Sequence, residues 1–193
     1  NAGQRKALLK AWQLRKKVTE KERLQIEAAY TTQVENNLVK GTEILEKLLR
    51  KYPHEQDVYQ DAAGSYLRLN EFEKSYQIYL AGLKNDSLDK SLWNSLAYFY
   101  TGLDKRAEAM EAVGRYLRIA PGEPNPYDSK GEIHFVFGEI DSALYWYRKA
   151  VSFRTDFITI EKLGFNSVLQ QDYVSAEKYF QQFGSTPDKF QKA

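Results

Sequence analysis

The chain has 193 residues, 42% of them hydrophobic and 28% charged, with a formal net charge of only +2. That is enough apolar material for one domain or a short solenoid, and the mixed charge argues against the concentrated basic face of a dedicated nucleic-acid binder. Cysteine is absent, which excludes disulfides, thiol catalysis and Cys-ligated zinc. The same absence leaves the cytoplasm and an oxidising compartment equally open. No apolar run approaches the roughly 20 residues that span a bilayer. The sequence starts Asn1-Ala2-Gly3 without a Met and is read as a trimmed start, so any targeting or membrane segment upstream lies outside it.

Along the chain the apolar residues recur at three- and four-residue spacing, which predicts amphipathic helices throughout. In residues 4–18, Ala7, Leu8, Ala11, Trp12, Leu14 and Val18 share one helical face, which predicts an N-terminal helix packing on the first helical hairpin. Thr19 with Glu22 has the form of a capping box opening that hairpin, over about 22–55, closed by Tyr52-Pro53. The second hairpin, about 56–89, turns at Leu69-Asn70-Glu71 and stops at Asn85-Asp86-Ser87. The third, about 90–123, turns at Leu103-Asp104 and ends where the run from Pro121 to Pro126 begins. Pro126 suits the first turn of the next helix, where its missing N–H costs nothing. The fourth hairpin, about 124–156, turns at Phe137-Gly138-Glu139, and the fifth, about 157–188, at Gln171-Asp172.

The hairpins keep register. Gly41, Ser75, Ala109, Ala143 and Ala176 recur at a period of about 34 residues, each followed four residues later by Leu45, Tyr79, Val113, Tyr147 or Phe180. A ring stands nine residues upstream at Tyr66, Tyr100 and His134, and small residues precede those rings at Ala63, Ala97 and Gly131, with Gly164 in the matching place of the last unit. Tyr59, Trp93, Tyr127 and Ile160 open the later hairpins. The small residues mark where helices approach closely, and the large ones fill the wider gaps beside them. Replacing Ala109 with Leu is therefore expected to crowd a helix contact and cost about 1–3 kcal/mol, measurable by chemical unfolding.

The unit Trp93–Leu96–Ala97–Tyr100–Ala109–Val113–Tyr116–Pro121 resembles the tetratricopeptide repeat, and Tyr127–Gly131–His134–Gly138–Ala143–Tyr147–Ala150 resembles it nearly as well. Units starting near Glu22, Gln56 and Phe157 match more loosely, with Gly41 and Ser75 in place of the usual alanine and Ser167 in place of the usual ring. The resemblance covers about residues 22–188. It implies an all-α, right-handed α-solenoid of five helix-turn-helix repeats with the extra N-terminal helix, forming a single domain over 1–193. Residues 11–28, with Ala11-Trp12-Gln13-Leu14-Arg15 and Glu27-Ala28, are also similar to the region that opens such repeat domains in bacterial signalling proteins. That likeness implies, as an alternative, a sensory or regulatory domain attached to a kinase or cyclase. A bare oligomerisation scaffold is the third reading.

Catalysis needs converging groups, and none is visible in the sequence. His54 follows Pro53 in a turn, and His134 occupies a packing position, where a core imidazole with a satisfied hydrogen bond is the ordinary reading. These two histidines with no cysteine make no metal site. Gly102, Gly114, Gly122, Gly131 and Gly138 follow the repeat and no phosphate-loop spacing. Carboxylate pairs such as Glu20/Glu22 and Glu71/Glu73 fall at helix starts or turns, where capping explains them. The basic cluster of Arg15, Lys16, Lys17, Lys21 and Arg23 is interleaved with Glu20, Glu22 and Glu27, and no cation recurs from unit to unit as a base-reading repeat requires. No enzyme, cofactor or nucleic-acid role is therefore expected.

A binding groove remains. In stacked hairpins the first helices line the concave surface. The resemblance carries groove-facing places onto Arg23, Ile26 and Tyr30; Asp57, Gln60 and Leu67; Asn94, Tyr98 and Thr101; Asp128, Glu132 and Phe135; and Glu161, Phe165 and Val168. The expected ligand is a peptide or protein with an apolar anchor near Tyr98 or Phe135 and a basic residue facing Asp128, Glu132 or Glu161. The carboxylate clamp of the family's chaperone-tail binders is not matched: its places hold Gln60, Gly64, Ser95, Asn125 and Ser129, without the cations it needs. At the other end, Gly184-Ser185-Thr186-Pro187-Asp188-Lys189-Phe190 reads like the start of another helix. A face around Tyr173, Phe180 and Phe183 is expected to be open, which suggests homodimerisation through the last hairpin.

Overall fold

The computed structural model describes residues 2–153 and 159–185. The expected helix start at 186–190, and the beginning and end of the fifth expected unit, lie outside the described residues. Contacts divide the chain into two compact units, Asn1–Leu92 and Trp93–Ala193.

In the first unit α1 (Ala2–Leu14) passes through a 3-10 turn (Arg15–Lys17) into α2 (Glu20–Gln33), which pairs with α3 (Leu38–Lys51); α4 (Gln56–Arg68) then pairs with α5 (Phe72–Asn85). The helix α6 (Lys90–Gly102) begins at the end of this unit and lies mostly in the second. There it is followed by α7 (Arg106–Ile119), by α8 (Asn125–Val136) paired with α9 (Ile140–Val151), and by α10 (Thr159–Leu169) paired with α11 (Tyr173–Ser185). The two helices of each of the five expected hairpins are present among the described residues. Among the described residues no helix is long and apolar enough to cross a membrane.

The hairpin turns share one device. Asn36, Asn70, Asp104, Gly138 and Gln171 all take left-handed backbone conformations, with φ between 54° and 75°. Gly, Asn and Asp tolerate that region best, so four of the five turns use residues suited to it. In the last four turns the amide just beyond this residue donates back to the carbonyl of the ring position: Glu71 to Tyr66, Lys105 to Tyr100, Glu139 to His134 and Asp172 to Ser167, each at 2.9 Å. This closes the helix end in the Schellman manner and fixes the angle at which the second helix leaves. The ring position thus has two functions, since its side chain fills the core while its carbonyl closes the turn. Ser167 keeps the carbonyl role with a small side chain that is itself buried.

At the N-terminus the capping box forms as expected: Glu22 N–H donates to Thr19 Oγ1, and Glu22 Oε2 accepts from Thr19 N–H at 2.9 Å. The α1 face differs from the expected stripe. The helix ends at Leu14, the 3-10 turn rotates the chain, and Leu14 and Val18 remain exposed, as does Ala7. Leu8, Ala11 and Trp12 are half-buried, and the Trp12 ring stacks on Tyr30 of α2 at 4.0 Å and 9°. Arg15 closes the other side of the indole, its guanidinium carbon 3.7 Å from the ring centroid. The small residues are where the period put them: Ser75, Ala109 and Ala143 have no exposed surface, and Ser75 Oγ donates to the Ala63 carbonyl across its hairpin.

Candidate functional site

The expected groove positions separate into three environments. In the first unit, Ile26 and Leu67 are half-buried and Gln60 is exposed. Tyr30 is on α2 as expected, but its ring is covered by Trp12, so one face is taken by the chain's own N-terminal helix.

In the second unit the first helices bring several expected residues together. Tyr98 on α6 is 39% exposed, yet its hydroxyl is hydrogen-bonded to the Ser129 side chain on α8. Burial of that hydroxyl pushes its pKa up, and the bond to Ser129 works the other way. One turn before Tyr98, Asn94 is half-buried, and its Oδ1 is buried without a hydrogen-bond partner.

Asp128 and Glu132 are successive turns of α8 and meet Lys162 of α10. Asp128 is only 7% exposed; its Oδ1 accepts from Thr159 Oγ1 at 2.6 Å and its Oδ2 from Lys162 Nζ at 3.0 Å. Glu132 Oε2 accepts from Lys162 Nζ at 2.7 Å and from the Tyr147 hydroxyl at 3.0 Å. Burial works against the charge on Lys162, but the two carboxylates outweigh it and hold the ammonium above the ordinary lysine value. Burial, aided by Glu132, raises the Tyr147 phenol, so it remains a donor.

The acidic end is thus paired within the chain. Asp128 has both oxygens engaged within the fold, so it meets a ligand's cation only where that cation displaces Lys162. Lys162, absent from the expected residues, is the group that neutralises it. Glu132 and Glu161 are half-buried. Phe135 is also half-buried and packs against the cluster of Ala143, Leu144, Tyr147 and Leu163, so much of its ring is spent on the core. Phe165 is 55% exposed and meets Phe180 edge-on at 5.2 Å and 74°.

That last contact revises the expected terminal face. Phe180 is half-buried beneath α10, where a Cβ on Gly164 would come within 2.6 Å of its ring. The open apolar surface consists instead of Leu169, Tyr173 and Val174, the last 83% exposed, with Phe183 less so.

His134 is a buried residue whose Nδ1 lies 2.6 Å from Glu139 Oε2; its Nε2 is buried without a partner, so the expected satisfied imidazole is satisfied on one side only. Glu139 also accepts from Arg106 Nε at 2.7 Å. The His134 and Arg106 bonds hold the Glu139 carboxyl below the usual carboxylate range. Because its folded pKa is depressed, its stabilising contribution is present above the unfolded carboxylate value and is lost as pH falls through the folded one. Glu139→Gln should therefore lower the melting temperature near neutral pH, with the gap to the parent closing in acid; a gap that is constant from pH 7 to pH 3 would contradict this. No group of three or more His, Asp or Glu residues that could hold a metal ion occurs among the described residues.

No family model matches the chain. A TPR repeat-containing protein of Methanocaldococcus jannaschii is 32% identical over 136 residues, which make up 69% of this chain and 24% of that protein. The chain thus spans about a quarter of that relative's length. Among solved structures, PilW, a widely conserved type IV pilus biogenesis factor, matches with a TM-score of 0.70 at 17% identity, covering 88% of this chain and 79% of the other. PilF of Pseudomonas aeruginosa matches at 0.69 with 15% identity, covering 94% and 78%. MamA from Desulfovibrio magneticus RS-1 matches at 0.66 with 14% identity, covering 91% and 99%. At such low identity the structural likenesses establish the fold and nothing further.

Proposed function

We propose that this chain, an all-α repeat protein of the tetratricopeptide type, is a non-catalytic module that holds another polypeptide on the first-helix face of its second unit. Repeats of this kind generally serve as protein-interaction scaffolds, and their first helices form the usual binding surface. The observation that carries the reading is Tyr98. A large ring stands open on α6 while its hydroxyl is tied down by Ser129. Such a pre-positioned aromatic offers contact area with little side-chain entropy left to lose, as binding anchors do. Phe165 supplies further open apolar surface on α10, and Glu132 and Glu161 give the face its negative character. The ligand is accordingly an extended or helical peptide with an apolar anchor and a basic residue beside it.

Calorimetric titration of matched peptides, one carrying Lys and one Glu beside the same Leu or Phe anchor, tests this. The Lys version is expected to bind more tightly, and Tyr98→Ala to weaken both. Tighter binding of the Glu version would overturn the charge preference; indifference to Tyr98→Ala would overturn the site.

The exposed Leu169, Tyr173 and Val174 favour a second association, of two copies through the last hairpin. Light scattering at rising concentration should show a dimer that Val174→Asp abolishes, and monomer throughout would refute it.

A further inference from the structure

The position between Asp128 and Glu132 on the first-helix face is not open to a ligand as it stands, because Lys162 fills it. We propose that Lys162 is a built-in competitor: its ammonium occupies, from within the chain, the position between Asp128 and Glu132 that a ligand's lysine would take. The inference rests on the peptide-binding reading above and adds a regulating contact to it.

The surroundings of Lys162 Nζ are those that recognise a free primary ammonium. Two carboxylate oxygens lie at 3.0 and 2.7 Å, and the Tyr147 ring centroid at 5.5 Å. Charge-assisted N–H···O bonds and an aromatic face are the usual elements of such recognition. Neither carboxylate depends on Lys162 for its orientation. Thr159 fixes Asp128 through Oδ1, and the buried Tyr147 hydroxyl fixes Glu132. The seat is thus held in place by other groups of the fold, whereas its occupant sits on a flexible four-carbon stem; the Lys162 side chain is 32% exposed, against 10% for Asp128 and 30% for Glu132. An acceptor pair anchored by Thr159 and Tyr147, facing an ammonium on a flexible stem at a partly open site, lets one ammonium be exchanged for another without unfolding either helix.

Exchange also sets the affinity. With Lys162 in place the three groups carry a net charge of −1, and without it −2. A ligand lysine must displace an equivalent cation that is tethered at high effective concentration, so its own contribution is reduced, though the residual charge of −1 still favours it over a ligand carboxylate. Ligands held by the apolar anchor alone feel no such competition. Lys162 thus biases the face against weakly anchored basic segments and admits only those whose apolar contacts hold them long enough for the exchange.

Two measurements test this. The Lys-bearing peptide is titrated into the parent and into K162M, which keeps the apolar stem and removes the ammonium. Binding about tenfold tighter to K162M is expected, with no gain for the Glu-bearing peptide. If the Lys peptide binds both proteins equally, the competitor idea is overturned while the binding face stands. The second measurement needs no peptide. Thermal unfolding of K162M and K162A is followed with propylammonium, with tetramethylammonium, which has no N–H to donate, and with sodium chloride at equal concentration. A saturable rise in melting temperature with propylammonium alone supports the seat even if no peptide binds. An equal response to all three salts overturns it. Should K162A not fold, K162M carries the test.

Discussion

Tyr147→Ala should cost the second unit about 3–5 kcal/mol, the range for truncating a fully buried aromatic, whereas Tyr147→Phe should cost only about 1 kcal/mol. The ring is 1% exposed and lies in the cluster with Ala143, Leu144 and Leu163, flanked by Phe135, Ile140, Val151 and Tyr179. It also lies against Gly131 of α8, so it fills the α8–α9 contact and reaches α10. Its loss would leave a cavity bounded by three helices that are each held by other contacts, so collapse would be partial and most of the penalty retained. The hydroxyl is a smaller matter, because Glu132 keeps Lys162 as donor when Tyr147 no longer supplies one. Whole domains are stable by only about 5–15 kcal/mol, so the Ala variant could unfold this unit at ambient temperature. Urea unfolding monitored by near-UV dichroism separates the two variants. A penalty for Tyr147→Ala near that for Tyr147→Phe would mean that the ring is not what fills this contact.

The division between what the sequence shows and what it hides follows from the reach of each interaction. The hairpins are legible because their causes are local and periodic. Asn70, Asp104 and Gly138 mark turns by their own backbone preferences, and small residues such as Ala109 and Ala143 recur where helices of one hairpin meet. Asn36, which makes the first turn with the same left-handed backbone, carries the same signal, and Gln171 carries almost none. The charge state of the candidate face is not legible in this way. Asp128 and Lys162 stand in adjacent hairpins, and Lys162 replaces a position held by Ser129 and Ser95 in the two hairpins before it. A rule for groove-facing places finds Asp128, but it does not find the neighbour that neutralises it. Tyr30 fails for the same reason: its cover is Trp12, on a helix outside the repeat and without a periodic counterpart. The Leu14 end of α1 is hidden because apolar spacing fits a continuing helix as well as a 3-10 turn.

Gly131→Val should be destabilising by about 3 kcal/mol, the upper part of the overpacking range, while Gly64→Ala should stabilise by up to about 1 kcal/mol. Both glycines lie within first helices, so the lost backbone entropy favours the substitution in each case. The difference lies in the space around them. A Cβ at Gly64 meets nothing within 4 Å, whereas one at Gly131 would come within 2.6 and 2.7 Å of the Tyr147 ring and 3.2 Å of the Ala143 carbonyl. The ring cannot retreat, since it is buried on its other sides and its hydroxyl is held by Glu132. The backbone of α9 must shift instead, and with it the contact to α10. The same crowding recurs at Gly164, where the obstacle is Phe180. The equivalent places in the earlier units, Ala63 and Ala97, admit one methyl, so the position demands small residues generally and glycine only where a bulky ring approaches most closely. A double-mutant cycle makes this quantitative. If Tyr147 is the obstacle, Gly131→Val should cost far less in the Tyr147→Ala background, giving a coupling of about 2 kcal/mol. Strict additivity would instead assign the penalty to the Ala143 carbonyl, and so to the approach of the two helix backbones themselves.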